Sequence, residues 1–291
     1  MINLADLYHP ITANPAHAQE FQPCKALRPY IRCFWGTLAS EDITQNRGAP
    51  GSVSVDLPHP APWPPPAEVI IPDTCMDIIM DIDEEGRAST FFHGINDAPF
   101  EVPMNQEKAG ITRFAIRFHF WAVFYFADEH MRESLNMRVE VDQYFNNFTR
   151  ELGGLLIRHG SFRERVAAAE AYLLRRITSS VKTNDNVMNA VYAIIEAKGV
   201  VTARELGDGT GLSQRQLERL FRETVGLSPK KAADLVRFQH VWQSLYQMPR
   251  QELKLQELVH AYGFSDQAHF NNTFKKYAGR SPLAALAAAG R

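Results

Sequence analysis

The feature that most constrains this chain is a repeat near its C-terminus. Residues 211–229 read GLSQRQLERLFRETVGLSP, and residues 263–282 read GFSDQAHFNNTFKKYAGRSP. Gly211 and Ser213 coincide with Gly263 and Ser265. After one inserted residue in the second copy, Leu217 matches Phe270, Phe221 matches Phe274, and Gly226-x-Ser-Pro matches Gly279-x-Ser-Pro. Each copy follows a stretch of helical periodicity, over 203–208 in the first and through Leu255, Leu258 and Val259 in the second. Glycine at the sharp turn between two helices avoids the penalty a side chain brings to left-handed backbone. Ser213 and Ser265 are expected to cap the second helix of each unit, their hydroxyls accepting from its free N–H groups. Gly226 and Gly279 end those helices, and each Ser-Pro pair opens the next one with proline in its first turn. One helix-turn-helix pattern is short and degenerate, and an ordinary helical bundle fits it as well. Two copies in one register select paired helix-turn-helix units.

In each unit the second helix has an apolar stripe, Leu217, Leu220 and Phe221 in one, Phe270, Phe274 and Tyr277 in the other. The opposite face carries Gln214, Arg215, Glu218, Arg219 and Arg222 in the first copy. In the second it carries Asp266, Gln267, His269, Asn271 and Lys275. Between the copies, 228–247 has no internal glycine and only the opening proline, with apolar residues at helical spacing. About 20 residues at 1.5 Å each make a rod of roughly 30 Å. Successive major-groove segments on one side of a duplex lie roughly 34 Å apart. The spacing therefore suits two helices entering neighbouring stretches of major groove.

With these residues in view, 184–291 resembles the C-terminal DNA-binding domain of the AraC/XylS family of bacterial transcriptional regulators. The second motif carries the resemblance most fully. It implies base-reading roles for Arg215, Glu218 and Arg219 in the first helix and for Gln267, Asn271 and Asn272 in the second. Phosphate contacts are expected from Ser213, Arg222, Lys230, Lys231, Ser265, Lys275 and Lys276; such contacts add affinity without reading sequence. The resemblance further implies double-stranded promoter DNA, RNA polymerase and a second copy of the chain as partners. Two departures from the family pattern stand out. Gly207 and Val259 occupy places where a small residue, usually alanine, packs the first helix, and Asn272 stands where a basic residue is common. Asn272 suits adenine through N6 and N7.

Charge divides the chain in the same way. Residues 183–291 hold 14 Lys and Arg against 10 Asp and Glu, while the first 182 hold 17 against 23. A basic reader joined to an acidic companion gives two domains, 1–182 and 183–291, with helix-turn-helix motifs at about 202–224 and 254–277. The modest positive excess favours site-specific binding by a dimer over nonspecific coating. The chain shows no basic start followed by an apolar run, and no apolar stretch approaches the ~20 residues that span a bilayer. The expected location is the cytoplasm, at the nucleoid when bound to DNA. Cys24, Cys33 and Cys75 are odd in number and lack metal-ligand spacing, so reduced thiols are expected and no cofactor is implied.

The first half is expected to be β-rich to about residue 120 and helical thereafter. This makes an α+β chain with a barrel-like N-terminal sheet domain and an all-α C-terminal domain. A short helix is expected over 26–31, and a proline-dense surface loop over 49–66. Strands are expected over 68–71, 76–82, 89–93 and 112–119. Helices are expected over 122–131, 141–153, 162–178 and 187–197. The runs FQPCKALRPYIRCFWG, IIPDTCMDIIMDI and FHGIND resemble an N-terminal sensor type found in many uncharacterised AraC/XylS members. On chemistry alone, Trp35, Asp77, His93, Arg117 and His119 are the side chains suited to a small-molecule effector. Two alternatives stand beside that reading. The N-terminal domain serves only to dimerise or bind protein, or it is a barrel enzyme fused to a DNA reader, although no catalytic grouping or metal motif is legible.

Overall fold

The computed structural model describes residues 3–11, 18–37, 68–102, 110–180, 182–248 and 254–288. The expected loop over 49–66 lies outside them. Six antiparallel strands form the main sheet, in the spatial order β1-β2-β7-β4-β5-β8. They are β1 Ala18–Phe21, β2 Ile31–Thr37, β4 Met76–Ile82, β5 Ala88–His93, β7 Thr112–Phe118 and β8 Arg138–Glu140. A separate pair joins β3 Glu68–Ile70 to β6 Phe100–Val102.

Strand alternation sorts the sheet into two chemically different faces. Register aligns Phe34, Ile116, Ile78, Phe92 and Val139 across one face. It aligns Cys33, Arg117, Asp77, His93 and Arg138 across the other. The first face is packed with rings. Phe92 and Phe118 meet Phe145 at 5.4 and 6.1 Å, and Phe114 meets Phe162 at 5.3 Å. Phe162 begins the helix that covers this face, and Tyr172 of the same helix meets Phe148 at 5.5 Å.

The helices are α1 Gly154–Arg158, α2 Phe162–Ser179 and α3 Asp185–Glu196, followed by α4 Ala203–Thr210 and α5 Gln214–Thr224. The long α6 Pro229–Gln247 then leads to α7 Leu255–Ala261, α8 Gln267–Ala278 and α9 Pro282–Ala288. Ser161 starts α2 with a reciprocal capping box to Glu164.

Three expected helices in the first half are not formed as such. Over 26–31 the backbone makes only turns, with Leu27 N–H donating to Cys24 O and Tyr30 N–H to Leu27 O. Pro29 in that stretch has no N–H to offer, so the i→i+4 bonds from Arg28 to Cys24 and from Ile31 to Leu27 stay isolated instead of running on as a helix. Residues 122–131 keep a single 3-10 turn, Val123–Tyr125. The Asp128 and Met131 N–H groups are drawn off to the carbonyls of Tyr144 and Glu223 instead of to the preceding turn. The stretch 141–153 is split by Asn147, whose φ of 63° is left-handed, and by Asp142 Oδ1, which accepts from Thr149 N–H. A π-helical turn, Thr149–Gly153, then runs into α1. Strands β1, β2, β6 and β8 were not expected: β1, β6 and β8 are short, and β2 follows directly on the misread turn.

Candidate nucleic-acid interface

The two repeats fold as two helix-turn-helix units. In the first, Thr202 caps α4 and Gly211 turns the chain with φ 67°. Ser213 caps α5, its hydroxyl accepting from Gln216 N–H while the Gln216 side chain accepts from Ser213 N–H. Leu206, Leu217 and Phe221 are buried between the helices. In the second unit Gly263, with φ 63°, makes the same turn. The expectation for Ser265 fails here. Asp266 is the cap of α8, its carboxylate accepting from His269 N–H at 2.7 Å. The residue inserted into the second copy sits at the cap, so the capping role passes one position along. Ser265 Oγ instead lies 3.1 Å from His269 Nδ1 and donates to Asp266 Oδ2 at 3.2 Å.

Between the units α6 runs for 19 residues from its cap Ser228, with Pro229 in its first turn. At 1.5 Å per residue it is about 28 Å long. Its rings clasp the second unit: Trp242 stacks on Phe274 at 5.4 Å, and Phe238 meets Tyr277 at 5.2 Å.

The second helix of each unit, α5 or α8, turns a polar face to solvent. On α5, Gln214, Arg215, Arg219 and Arg222 are exposed and Glu218 is half-buried. Gln214 Nε2 donates to Glu218 Oε1 at 3.0 Å, and Arg219 stands 3.6 Å from Glu223. Among the described residues Arg215 and Arg222 carry no ion pair. On α8, Gln267, Asn272, Lys275 and Lys276 are exposed and Asn271 is half-buried. Lys230 and Ser265 are exposed, whereas Lys231 forms an ion pair with Asp97 of the N-terminal region. Burial works against the Asp97 charge, but hydrogen bonds from Lys231 and Asn136 prevail and hold its carboxyl below the usual range.

The N-terminal region joins the reader at further points. Gln239, wholly buried in α6, accepts from Ile11 N–H at 2.7 Å and donates to the Ile11 and Pro72 carbonyls. Gln243 donates to the His9 carbonyl, and the Tyr8 ring lies 5.7 Å from His240. A Cβ on Gly226 would fall 2.6 Å from Met131 O, so this corner needs glycine for space as well as for its φ of 81°.

Of the side chains singled out for an effector, four share one sheet face. Trp35 Nε1 donates to Asp77 Oδ1 at 2.9 Å, and Arg117 forks onto both Asp77 oxygens at 2.8 and 3.0 Å. Arg117 also reaches Asp73 at 3.3 Å. Burial opposes the Arg117 charge, but the carboxylates of Asp77 and Asp73 outweigh it and stabilise the cation. His93 is the cross-strand neighbour of Asp77, and burial lowers its pKa. His119 stands apart, stacked on Trp121 at 4.5 Å, where burial lowers its pKa to about 3. Cys33 and Cys75 are buried and Cys24 is half-buried, all as free thiols. Among the described residues no helix is long and apolar enough to cross a membrane, and no group of three or more acidic, His or Cys side chains is placed to hold a metal ion.

Two family models match the chain. A helix-turn-helix domain matches over residues 206–288, and a domain of unknown function (DUF6597) over residues 19–140. Over 72 residues the chain is 39% identical to the HTH-type transcriptional regulator GlxA of Rhizobium meliloti (strain 1021). That match takes in 25% of this chain and only 21% of the relative's length. A solved structure of a probable AraC family transcriptional regulator from Rhodopseudomonas palustris CGA009 is 27% identical, with a TM-score of 0.32, covering 36% of this chain and 98% of that one. ToxT from Vibrio cholerae aligns over 76% of this chain and 94% of its own, at 9% identity and a TM-score of 0.40. Both scores are too low for a shared arrangement of domains to be inferred. The class is nevertheless defined by the paired units and the matched segment: this is a helix-turn-helix protein. Residues 206–288 match a helix-turn-helix domain of the AraC type.

Reasoning from sequence missed Asp97, Arg132 and Gln239 as residues joining the two regions. Asp97 lies in the quoted FHGIND run, but its partner is 134 residues away, a distance no local pattern reveals.

Proposed function

We propose that this protein is a transcriptional regulator that binds promoter DNA sequence-specifically through α5 and α8. The observation that carries the reading is the pair of exposed polar helices joined by α6, a rod of about 28 Å beside the roughly 34 Å of one DNA turn. Arg215, Glu218 and Arg219 read bases from α5, and Gln267, Asn271 and Asn272 read them from α8. Arginine suits the O6 and N7 edge of guanine, and the amides suit adenine. Ser213, Arg222, Lys230, Ser265, Lys275 and Lys276 contact phosphates; Lys231 does so when its pair with Asp97 opens. The protein acts as a homodimer with RNA polymerase as its protein partner, in the cytoplasm. A small-molecule effector bound at Trp35, Asp77, His93 and Arg117 controls it. Support for that site is the concentration of charge on one sheet face, and its nearness to the Pro72 carbonyl held by Gln239 of the reader.

Footprinting of the full chain across its host's regulatory regions tests the reading. Protection of discrete promoter segments is expected, with Arg219→Ala relaxing preference at one base pair by about 1–3 kcal/mol. Binding that is salt-sensitive and blind to sequence would overturn it.

A further inference from the structure

The N-terminal region meets the first recognition helix at Glu223, through both its carboxylate and its backbone carbonyl. Glu223, in the last turn of α5, is shared by two arginines, Arg132 of the N-terminal region and Arg219 of α5 itself. The Arg132 guanidinium hydrogen-bonds Glu223 Oε1, while Arg219 Nη1 stands 3.6 Å from the same oxygen, too far for a hydrogen bond. Backbone fixes this approach. Met131 N–H donates to the Glu223 carbonyl at 2.9 Å, and Gly226 is pressed against Met131 and Ser134. The Glu223 side chain is only 12% exposed, whereas those of Arg132 and Arg219 are 57% and 62% exposed. Hydrogen bonding from Arg132 holds the Glu223 carboxyl below its ordinary range, and the charges of Arg132, Arg219 and His130 act in the same direction.

A carboxylate with little access to water is stabilised by a nearby cation. Without Arg132 the cation within reach is Arg219, one turn back on the same helix at i,i+4 spacing. Its guanidinium would then be drawn toward the C-terminal end of α5 and away from a base edge. We propose that Arg132 is a positioning residue for sequence reading: by taking the hydrogen bond to Glu223 it keeps Arg219 in a longer, looser pair with that carboxylate, from which Arg219 can turn to DNA. The inference rests on the assignment of Arg219 as a base reader. It makes docking of the N-terminal region a control on base preference, separate from any control on affinity. Arg132 reaches no base in this account.

Binding of the full chain to duplexes varied one base pair at a time, at several salt concentrations, tests the proposal. Arg132→Gln is expected to lose roughly tenfold discrimination at one base pair, the same one that Arg219→Ala affects. The salt slope should stay unchanged, since no phosphate contact is removed. Glu223→Gln, which removes the competing carboxylate, should keep discrimination, and the double variant Arg132→Gln with Glu223→Gln should regain it. A misfolded single variant would not be rescued in this way. Uniform weakening with a salt slope lower by about one would make Arg132 a phosphate contact and overturn the proposal. So would a double variant as indiscriminate as Arg132→Gln alone. If Arg219→Ala itself changes no preference, the base-reading assignment fails, and that failure is distinguishable from the others.

Discussion

At the scale of single residues, the informative positions are buried polar groups with partners far away in the chain. Gln239 satisfies three backbone groups of the N-terminal region while fully removed from water. Gln239→Leu keeps the volume but orphans the Ile11 N–H and the Pro72 carbonyl. Each buried group left unpaired costs about 1–3 kcal/mol, so the variant should unfold at visibly lower urea concentration. An unchanged midpoint would mean that these contacts do not hold in solution. Local sequence around Gln239 reads only as part of an amphipathic helix, and nothing in it announces that its amide faces another region. The same holds for Arg132, which directly follows a stretch, 122–131, whose periodicity suggests a helix. The true constraint there is a backbone hydrogen bond from Met131 to Glu223, which periodicity cannot express.

At the scale of elements, the repeat was legible because its signals are local: turn glycines, caps, apolar stripes and proline after each corner. Strands β4, β5 and β7 were also legible, since alternating or apolar runs end at clear turn residues. What went wrong was decided by competition for N–H groups, as over 122–131, or by a single left-handed residue such as Asn147. The inserted residue of the second copy offers a sharp test. Ser213→Ala should destabilise the first unit by about 1 kcal/mol. In the second unit Asp266→Ala should have a similar effect, and Ser265→Ala a smaller one. Thermal or urea unfolding of the three variants decides this, and a larger loss for Ser265→Ala than for Asp266→Ala would restore Ser265 as the cap.

At the scale of the whole molecule, the acidic first half and the basic second half are pinned together at matching corners. Asp97 holds Lys231, Arg132 holds Glu223, and Pro99 lies 3.4 Å from where a Cβ on Gly279 would fall. The sheet face carrying Arg117 and Asp77 is linked to α6 through the Asp73–Cys75 turn, in which buried Thr74 takes a left-handed φ of 61° and meets Tyr8 Oη at 3.1 Å. Tyr8 in turn packs on His240, whose Nε2 is buried without a partner among the described residues. Burial, with Lys198 nearby, lowers the His240 pKa from 6.5 to about 4. Below pH 6.5 the unfolded chain therefore binds a proton that the folded chain refuses, so this histidine removes stability as the pH falls from 6.5 towards about 4. Urea midpoints at pH 7 and pH 5 should drop less in His240→Phe than in the parent protein. Equal drops would show that His240 titrates normally.

The central claim is that the two copies share a scaffold and differ in what they read. Selection of binding sites by the full chain from random duplex DNA measures this most directly. Two unlike short motifs are expected, with centres about 10–10.5 base pairs apart. Arg219→Ala should relax preference at one base pair of one motif, and Asn272→Ala at one base pair of the other. A single motif, two identical motifs, or no enrichment beyond salt-dependent binding would contradict it.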